Sequence, residues 1–401
     1  MGKGIFSDIT ILDFSNNLAG PCGSAMFADQ GANVIKIERP ITGDDTRVLY
    51  PVLNGTSIQY MWDNRGKKSI VLALNDPEAQ QLIYKMVEKA DVVLESFKPG
   101  QMKKFGLDYD TLVKYNEKLI YCSVSACGQT GPYAKEPGFD IIAQGMSGLM
   151  DMAGEPDGPP TKMGTTVGDY LGSFNVFGSI SAALYHRDRT GEGQYIDISL
   201  MAGLVSCNTS ADIAATVDTH PTRIGPHDNT VVPYGVFEGN NGETAVVVAC
   251  TFGLWPKMCR LLGKEEWLSD PEFATGKTRI LHRLEIIETI NTFLKQFETM
   301  DEAIAVMKQA GIPCTKIKST YEVAHDPGLW IPGYMMEHPM PKSCGEVTYK
   351  GRGPWIKMSK TPFEMKAAPD LGENNYEILE QFGWSKEKID EMEARWAAPK
   401  K

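Results

Sequence analysis

The chain has 401 residues, 42 % apolar and 23 % charged, with a net charge of −11 at pH 7. That length exceeds one typical core and points to two lobes; the negative balance argues against a protein held to nucleic acid by phosphate contacts. No apolar run approaches the ~20 residues of a membrane span, and the N-terminus lacks the charged-then-apolar layout of a signal peptide, so the reading is cytoplasmic, with no membrane partner.

The first 130 residues alternate strand and helix. Ile9–Phe14 is a β-rich run, followed by the glycine-punctuated turn Ala19-Gly20-Pro21-Cys22-Gly23, a helix from Ser24 to Gln30 ended by Gly31, and a second strand, Asn33–Glu38. Ser69–Leu74 continues the strand series, and Asp76 caps a helix from Glu78 to Ala90, with Pro77 at its permitted first position. Asp91–Phe97 and Leu119–Val124 are further strands. This βαβ spacing predicts an open, parallel α/β sheet with right-handed crossovers. A nicotinamide-binding domain is the obvious rival. Its G-x-G-x-x-G is missing, because the first turn reads Gly20-Pro21-Cys22-Gly23, although Glu38-Arg39 imitates the ribose-binding acid.

Beyond Phe139 the pattern turns helical, with buried helices expected over Ile141–Met152 and Asp169–Arg187, then the turn Thr190–Gln194 and a strand over Tyr195–Leu200. A Pro/Gly/His linker, residues 220–227, precedes a hairpin around Asn240-Asn241-Gly242. Helices follow at Leu254–Leu262, Leu284–Phe297 and Met300–Ala310, giving a smaller α+β lobe over 225–325. The tail reads as two amphipathic helices, Leu371–Phe382 and Ser385–Trp396, each with a solvated face. The eight cysteines form no CxxC, and no histidine pair has ligand spacing. They read as reduced, mostly buried thiols, and no metal site is expected.

The segment Gly164–Ser173 joins a loop to the long apolar helix, with Asp169 at the junction. Two roles stand open for that carboxylate. It can cap the helix by accepting first-turn N–H groups, or it can stand among glycines where a substrate approaches.

In order and spacing the chain resembles the class III CoA-transferases (the formyl-CoA and carnitine CoA-transferase family) from end to end. The segments that carry the resemblance are Leu12-Asp13-Phe14 with Ala19-Gly20-Pro21, Gly31–Pro40 with Gly43-Asp44, Asn64–Ser69 and Phe97-Lys98-Pro99-Gly100. Gly128–Tyr133, Asp157–Pro160, Thr190–Gln194, Ser359–Pro362 and Leu371-Gly372-Glu373 complete it. The resemblance implies a large Rossmann-like α/β domain built from both ends of the chain, residues 1–220 with 330–401, around an inserted small domain, 225–325. It also implies an interlinked homodimer. Asp169 takes the place of the family's nucleophile, attacking an acyl-CoA to give a mixed anhydride and then an aspartyl-CoA thioester. Coenzyme A enters as part of the acyl-CoA substrate, an organic acid is the acceptor, and no permanently bound cofactor is implied. An aspartate with an ordinary pKa near 3.9 is already the anion at neutral pH, so no general base is needed.

By family position, Asn16, Leu18 and Ala19 follow the first strand, Arg39 the second and Phe97 a later one, with Lys104 in the next turn; these are the implied CoA contacts. Asp140 stands where the formyl-CoA enzymes carry Glu, and is read either as an acyl-positioning acid or as a helix cap. Leu18 and Phe139 replace the Gln and Tyr of that subgroup, and its run of consecutive glycines is absent, so oxalate/formate specificity is not expected. Two rivals remain. A 2-methylacyl-CoA racemase needs a His–Asp pair, but Phe139 occupies the His position and cannot exchange a proton. A non-catalytic CoA-binding protein would have no use for Asp169.

Overall fold

The computed structural model describes residues 4–397, and the chain divides into two compact units. The larger comprises residues up to Leu149, Met163–Thr209 and everything from Gly328; the smaller comprises Met150–Lys162 and Ser210–Pro327. Residues 150–162, expected in the large domain, thus cluster with the smaller unit, as do residues 210–220.

Six strands build the sheet of the larger unit: β1 (Thr10–Asp13), β2 (Asn33–Glu38), β3 (Lys68–Val71), β4 (Val92–Glu95), β5 (Ile120–Ser125) and β6 (Gln194–Ser199). All neighbours are parallel, in the order β3-β2-β1-β4-β5-β6. A parallel sheet buries both faces, and the alternation of residues assigns each to its own core. Leu12, Ile35, Ile70, Val93 and Tyr121 face one core, under Ile378 and Ile389 from the C-terminal segment. Ile11, Val34, Val92, Ile120 and Cys122 face the other.

Helix α1 (Ala19–Asp29) covers that second face and starts five residues earlier than the glycines suggest. Pro21 is tolerated because first-turn N–H groups have no helical partner. Gly20 and Gly23 are there for close packing: a methyl at Gly20 would stand 2.4 Å from Ser15 Cβ, and one at Gly23 2.7 Å from Val176. Helix α2 (Pro77–Val87) begins as expected, with Glu78 N–H donating to Asp76 at 2.9 Å.

The expected helix over Ile141–Met152 is cut short. Helix α3 (Asp140–Met146) ends before Gly148, whose φ of +78° turns the chain. Helix α4 (Val167–Thr190) is longer than expected and is not buried all round. Its inner face, with Val176, Ile180 and Leu184, is covered, whereas Phe174 and Tyr185 are exposed, as are Ile141 and Ile142 of α3.

The outer edge of β3 is closed by side chains. Ser69 N–H donates to Asn374 Oδ1 at 3.0 Å and Val71 N–H to Asn375 Oδ1 at 2.8 Å, while Asn374 N–H donates back to Ser69 O at 2.9 Å. A buried charged layer lies beside β1. Lys67 pairs with Asp13 at 2.8 Å and Lys36 with Asp44 at 2.7 Å, all four side chains at most 1 % exposed. Burial pushes the Asp13 carboxyl up, but Lys67 and Lys36 outweigh it and hold the group well below the carboxylate range.

In the smaller unit, strands β7 (Tyr234–Glu238) and β8 (Thr244–Val248) form the expected hairpin, and β9 (Cys314–Lys316) pairs antiparallel with β8. The turn requires positive φ at Asn241 (57°) and Gly242 (73°), which Asn and Gly adopt at little cost. Three helices cover the sheet, α6 (Trp255–Leu262), α7 (Arg283–Leu294) and α8 (Met300–Gln309), after the short α5 (Leu200–Ser206) of the larger unit. The described cysteines are free thiols, but only Cys22, Cys122, Cys127 and Cys259 are fully buried, fewer than expected. Among the described residues no single helix is long and apolar enough to cross a membrane, and no three His, Cys, Asp or Glu side chains are grouped to hold a metal.

Candidate functional site

The strand order reverses between β1 and β4, and ligands of such sheets lie outside the carboxyl ends of the strands at that point. Here the loops after β1 and β4 are stitched together: Asn16 N–H donates to Ser96 Oγ at 2.9 Å, and Phe14 N–H to Leu94 O at 2.8 Å. A cleft of about 770 Å³ opens above β3, β2, β1 and β4, a size that suits a cofactor or drug-sized ligand. Phe14, Asn16, Arg39, Leu74, Phe97 and Phe105 are among its walls.

Of the contacts expected from sequence, Asn16, Arg39 and Phe97 meet in this cleft. Arg39 donates from Nε to Thr42 Oγ1 at 2.7 Å and pairs with Asp45, which also bonds Asn16. Lys104 is exposed at the end of the one-turn helix Gln101–Lys104 and does not line the cleft; its neighbour Phe105 does. Leu18 and Ala19 do not line it either. Leu18 is buried with Cys22, Trp62 and Tyr170, and Ala19 opens α1 where a methyl at Gly172 would stand 3.2 Å away. Residues 16 to 19 therefore run from the cleft to the helix that carries Asp169.

Asp169 is not the cap of that helix. The cap position is Thr166, and Asp169 lies in the first turn. The N–H groups beside it are served by another acid. Asp140 Oδ1 accepts from Gly168 N–H at 2.7 Å and from Asp169 N–H at 3.3 Å. Gly168 makes this possible, since a methyl there would stand 2.8 Å from Asp140 Oδ1 and 2.9 Å from Leu204. Asp140 is thus neither the cap of its own helix, which Phe139 precedes, nor free: its other oxygen accepts from Gln144 Nε2 at 2.6 Å. Gln144 also receives Met163 N–H at 3.1 Å and donates to Thr165 O at 3.3 Å, fixing the loop before α4. Sequence reasoning alone misses Gln144, although an Asp four residues ahead of a Gln on one helix face is a legible pair.

Among the described residues nothing donates a hydrogen bond to the Asp169 carboxylate. Burial pushes its pKa up, the Asp140 charge adds to this, and the result is about 7. The expectation of an ordinary, always ionised aspartate is therefore corrected: this carboxyl titrates near neutrality. The positive end of α4 works the other way and favours the anion.

The profile of CoA-transferase family III matches residues 6–375. The chain belongs to CoA-transferase family III. It is 37 % identical to a succinate–glutarate CoA-transferase of Agrobacterium fabrum, over 93 % of this chain and 94 % of that one. It is 34 % identical to an acetyl-CoA:oxalate CoA-transferase of Acetobacter aceti, over 95 % and 96 %. A crystal structure of a CAIB/BAIF family protein from Brucella suis superposes with a TM-score of 0.79 at 31 % identity, covering 95 % of this chain and 100 % of that one. The molecule is a class III CoA-transferase, an enzyme whose substrates are CoA thioesters and organic acids.

Two cleft residues of this CoA-transferase are invisible in the sequence. Arg395 and Trp396, from the last described helix, α9 (Lys386–Ala397), reach the cleft wall from a position 320 residues beyond Asp76. By its pattern alone their helix reads as a solvated one.

Proposed function

We propose that the enzyme moves CoA from an acyl-CoA to a free dicarboxylic acid through covalent intermediates on Asp169. The observation that carries this reading is the Asp169 carboxylate itself, which stands in the first turn of α4 with no hydrogen-bond donor among the described residues and a pKa raised to about 7. A carboxylate that is not solvated by donors is a stronger nucleophile, and one that titrates near neutrality is still available as the anion.

One Asp169 oxygen attacks the thioester carbonyl; the C–S bond breaks and CoA leaves as the thiolate, giving a mixed anhydride. The thiolate attacks the Asp169 carbonyl carbon, the anhydride C–O bond breaks, and the donor departs as its carboxylate. The acceptor carboxylate then repeats these steps in reverse. One negative charge passes from carboxylate to thiolate to carboxylate, so no proton moves and no histidine is required. Thioester chemistry at Asp169 also conserves the group-transfer energy that a serine ester would lose.

Three of the four acids in the relatives' names, succinate, glutarate and oxalate, are dicarboxylic, and only the acetyl donor is not, which supports a dicarboxylic acceptor here. The exposed apolar side chains of α3 and α4, Ile141, Ile142, Phe174 and Tyr185, support a homodimer that covers them. We read that dimer as interlinked.

The test is a CoA-exchange assay with a panel of acyl-CoA donors against a panel of free acids, read by mass spectrometry. New dicarboxylyl-CoA species in wild type and none with Asp169→Ala are expected. Exchange that survives Asp169→Ala, or deuterium entry at an α-carbon without exchange, would overturn the reading.

A further inference from the structure

The cleft spans four strand ends, and its two extremes differ. At the β4 side, Asn16 leads through Leu18 and Ala19 toward the Asp169 helix. At the β3 side, about three strand spacings or ~14 Å away, the wall is Leu74, Asp76 and Pro77 together with Arg395 and Trp396 of α9. A long thioester laid along the cleft with its reactive carbonyl toward Asp169 places its far end against α9.

That helix is pinned. Trp396 Nε1 donates to Asp76 Oδ2 at 3.0 Å, and Arg395 bridges the same Asp76 and Glu78, reaching Glu78 Oε1 at 2.9 Å. Lys388, two turns earlier, pairs with Glu78 at 2.6 Å. Asp76 is itself held by Glu78 N–H, so one capping carboxylate orients both α2 and the indole. The indole N–H faces Asp76 while the ring is only partly buried against the apolar core, which leaves ring surface on the cleft.

We propose that Trp396 is the aromatic wall against which the purine of CoA stacks, and that Arg395 is the positioning residue that locks α9 in place for it. This rests on the CoA-transfer reading for the identity of the ligand. A base stacked on an aromatic side chain contributes enough to be read as about a 10-fold change in affinity when the ring is removed.

The experiment compares binding of CoA and of pantetheine, which lacks the nucleotide, by calorimetry on the full-length enzyme, wild type against Trp396→Leu and Trp396→Phe. Leu preserves packing and Phe preserves stacking. The expected result is CoA affinity about 10-fold weaker in Trp396→Leu and largely restored in Trp396→Phe, with pantetheine unaffected by either. Arg395→Met is expected to weaken CoA in the same selective way. Equal loss for both ligands, or no loss for CoA, would overturn the proposal. Wild-type enzyme that binds CoA but performs no exchange would instead overturn the transfer reading and leave this comparison intact.

Discussion

Asp140 caps the helix that carries Asp169. Its Oδ1 takes Gly168 N–H at 2.7 Å and Asp169 N–H at 3.3 Å, so one acid fixes the backbone of the other while its charge opposes ionisation of the other's side chain. One neighbour therefore both holds Asp169 in place and adds its charge to the burial that raises the Asp169 pKa.

The two effects separate in Asp140→Asn. The amide oxygen still accepts from Gly168, but the negative charge is gone. In wild type, kcat/KM should rise with pH as Asp169 ionises, with a midpoint near 7, and level off above it. Burial is the larger cause of the raised pKa, so Asp140→Asn should move the midpoint toward lower pH without returning it to an ordinary aspartate value. A pH–rate profile with an unmoved midpoint would rule out charge coupling between the two.

Asp169→Asn should abolish exchange and yet stabilise the fold at about pH 8. The folded carboxyl binds its proton up to about 7, the unfolded one only to near the ordinary value of 3.8. Between those values the native state holds more protons, so wild-type stability falls as pH rises through this window. Asn carries no such cost. With Asp169 partly exposed, the gain at pH 8 should be on the order of 1–3 kcal/mol, shrinking to nothing near pH 4. Urea melts of both proteins at the two pH values test this, and equal stability at pH 8 would count against it.

Gly168→Ala has no room. Its methyl would press on Asp140 Oδ1 at 2.8 Å and Leu204 at 2.9 Å, and neither can retreat freely because Gln144 holds the one and the core the other. Overpacking of this kind costs about 1–3 kcal/mol. Exchange should drop by at least about 10-fold, since a displaced first turn carries Asp169 with it. Wild-type kinetics in this variant would show that the Asp140–Gly168 contact does not position Asp169 for exchange.

Lys67→Met should destabilise by about 3–5 kcal/mol, because it leaves Asp13 as a buried charge that has lost its ion-pair partner. The double change Lys67→Met with Asp13→Leu should recover much of that loss, although Ser15 and Ser24 then lose their bonds to Asp13 and Lys36 loses a nearby negative charge. Chemical melts of the single and double variants decide it: a double variant no better than the single one would mean that the stranded carboxylate is not what weakens the fold.

How far the sequence reaches is clear from particular residues. The parallel sheet was legible because β1 to β5 are short apolar runs with turn residues at their ends. The start of α1 was not, since Gly20 and Gly23 look like a turn and serve instead as seats for Ser15 and Val176. Asp169 could be singled out, but its pKa depends on Asp140, 29 residues away, and on burial that no local pattern records. Trp396 lies still further from anything it touches in the cleft. In the tail helix its indole reads as one more apolar side chain, and only the fold shows it bonded to Asp76 at the cleft wall.

The seal over β3 has a consequence for how the molecule is made. Asn374 and Asn375 supply the bonds that a seventh strand would make, Pro369 O receives the buried Tyr60 hydroxyl at 2.9 Å, and Ala367 O receives Gly66 N–H at 3.0 Å. All of these partners leave the ribosome after the inserted unit. The N-terminal lobe must therefore wait, its sheet edge open, through the synthesis of that entire unit, and any premature stop ahead of Ala367 releases a chain with a bare strand ready to pair with the next one.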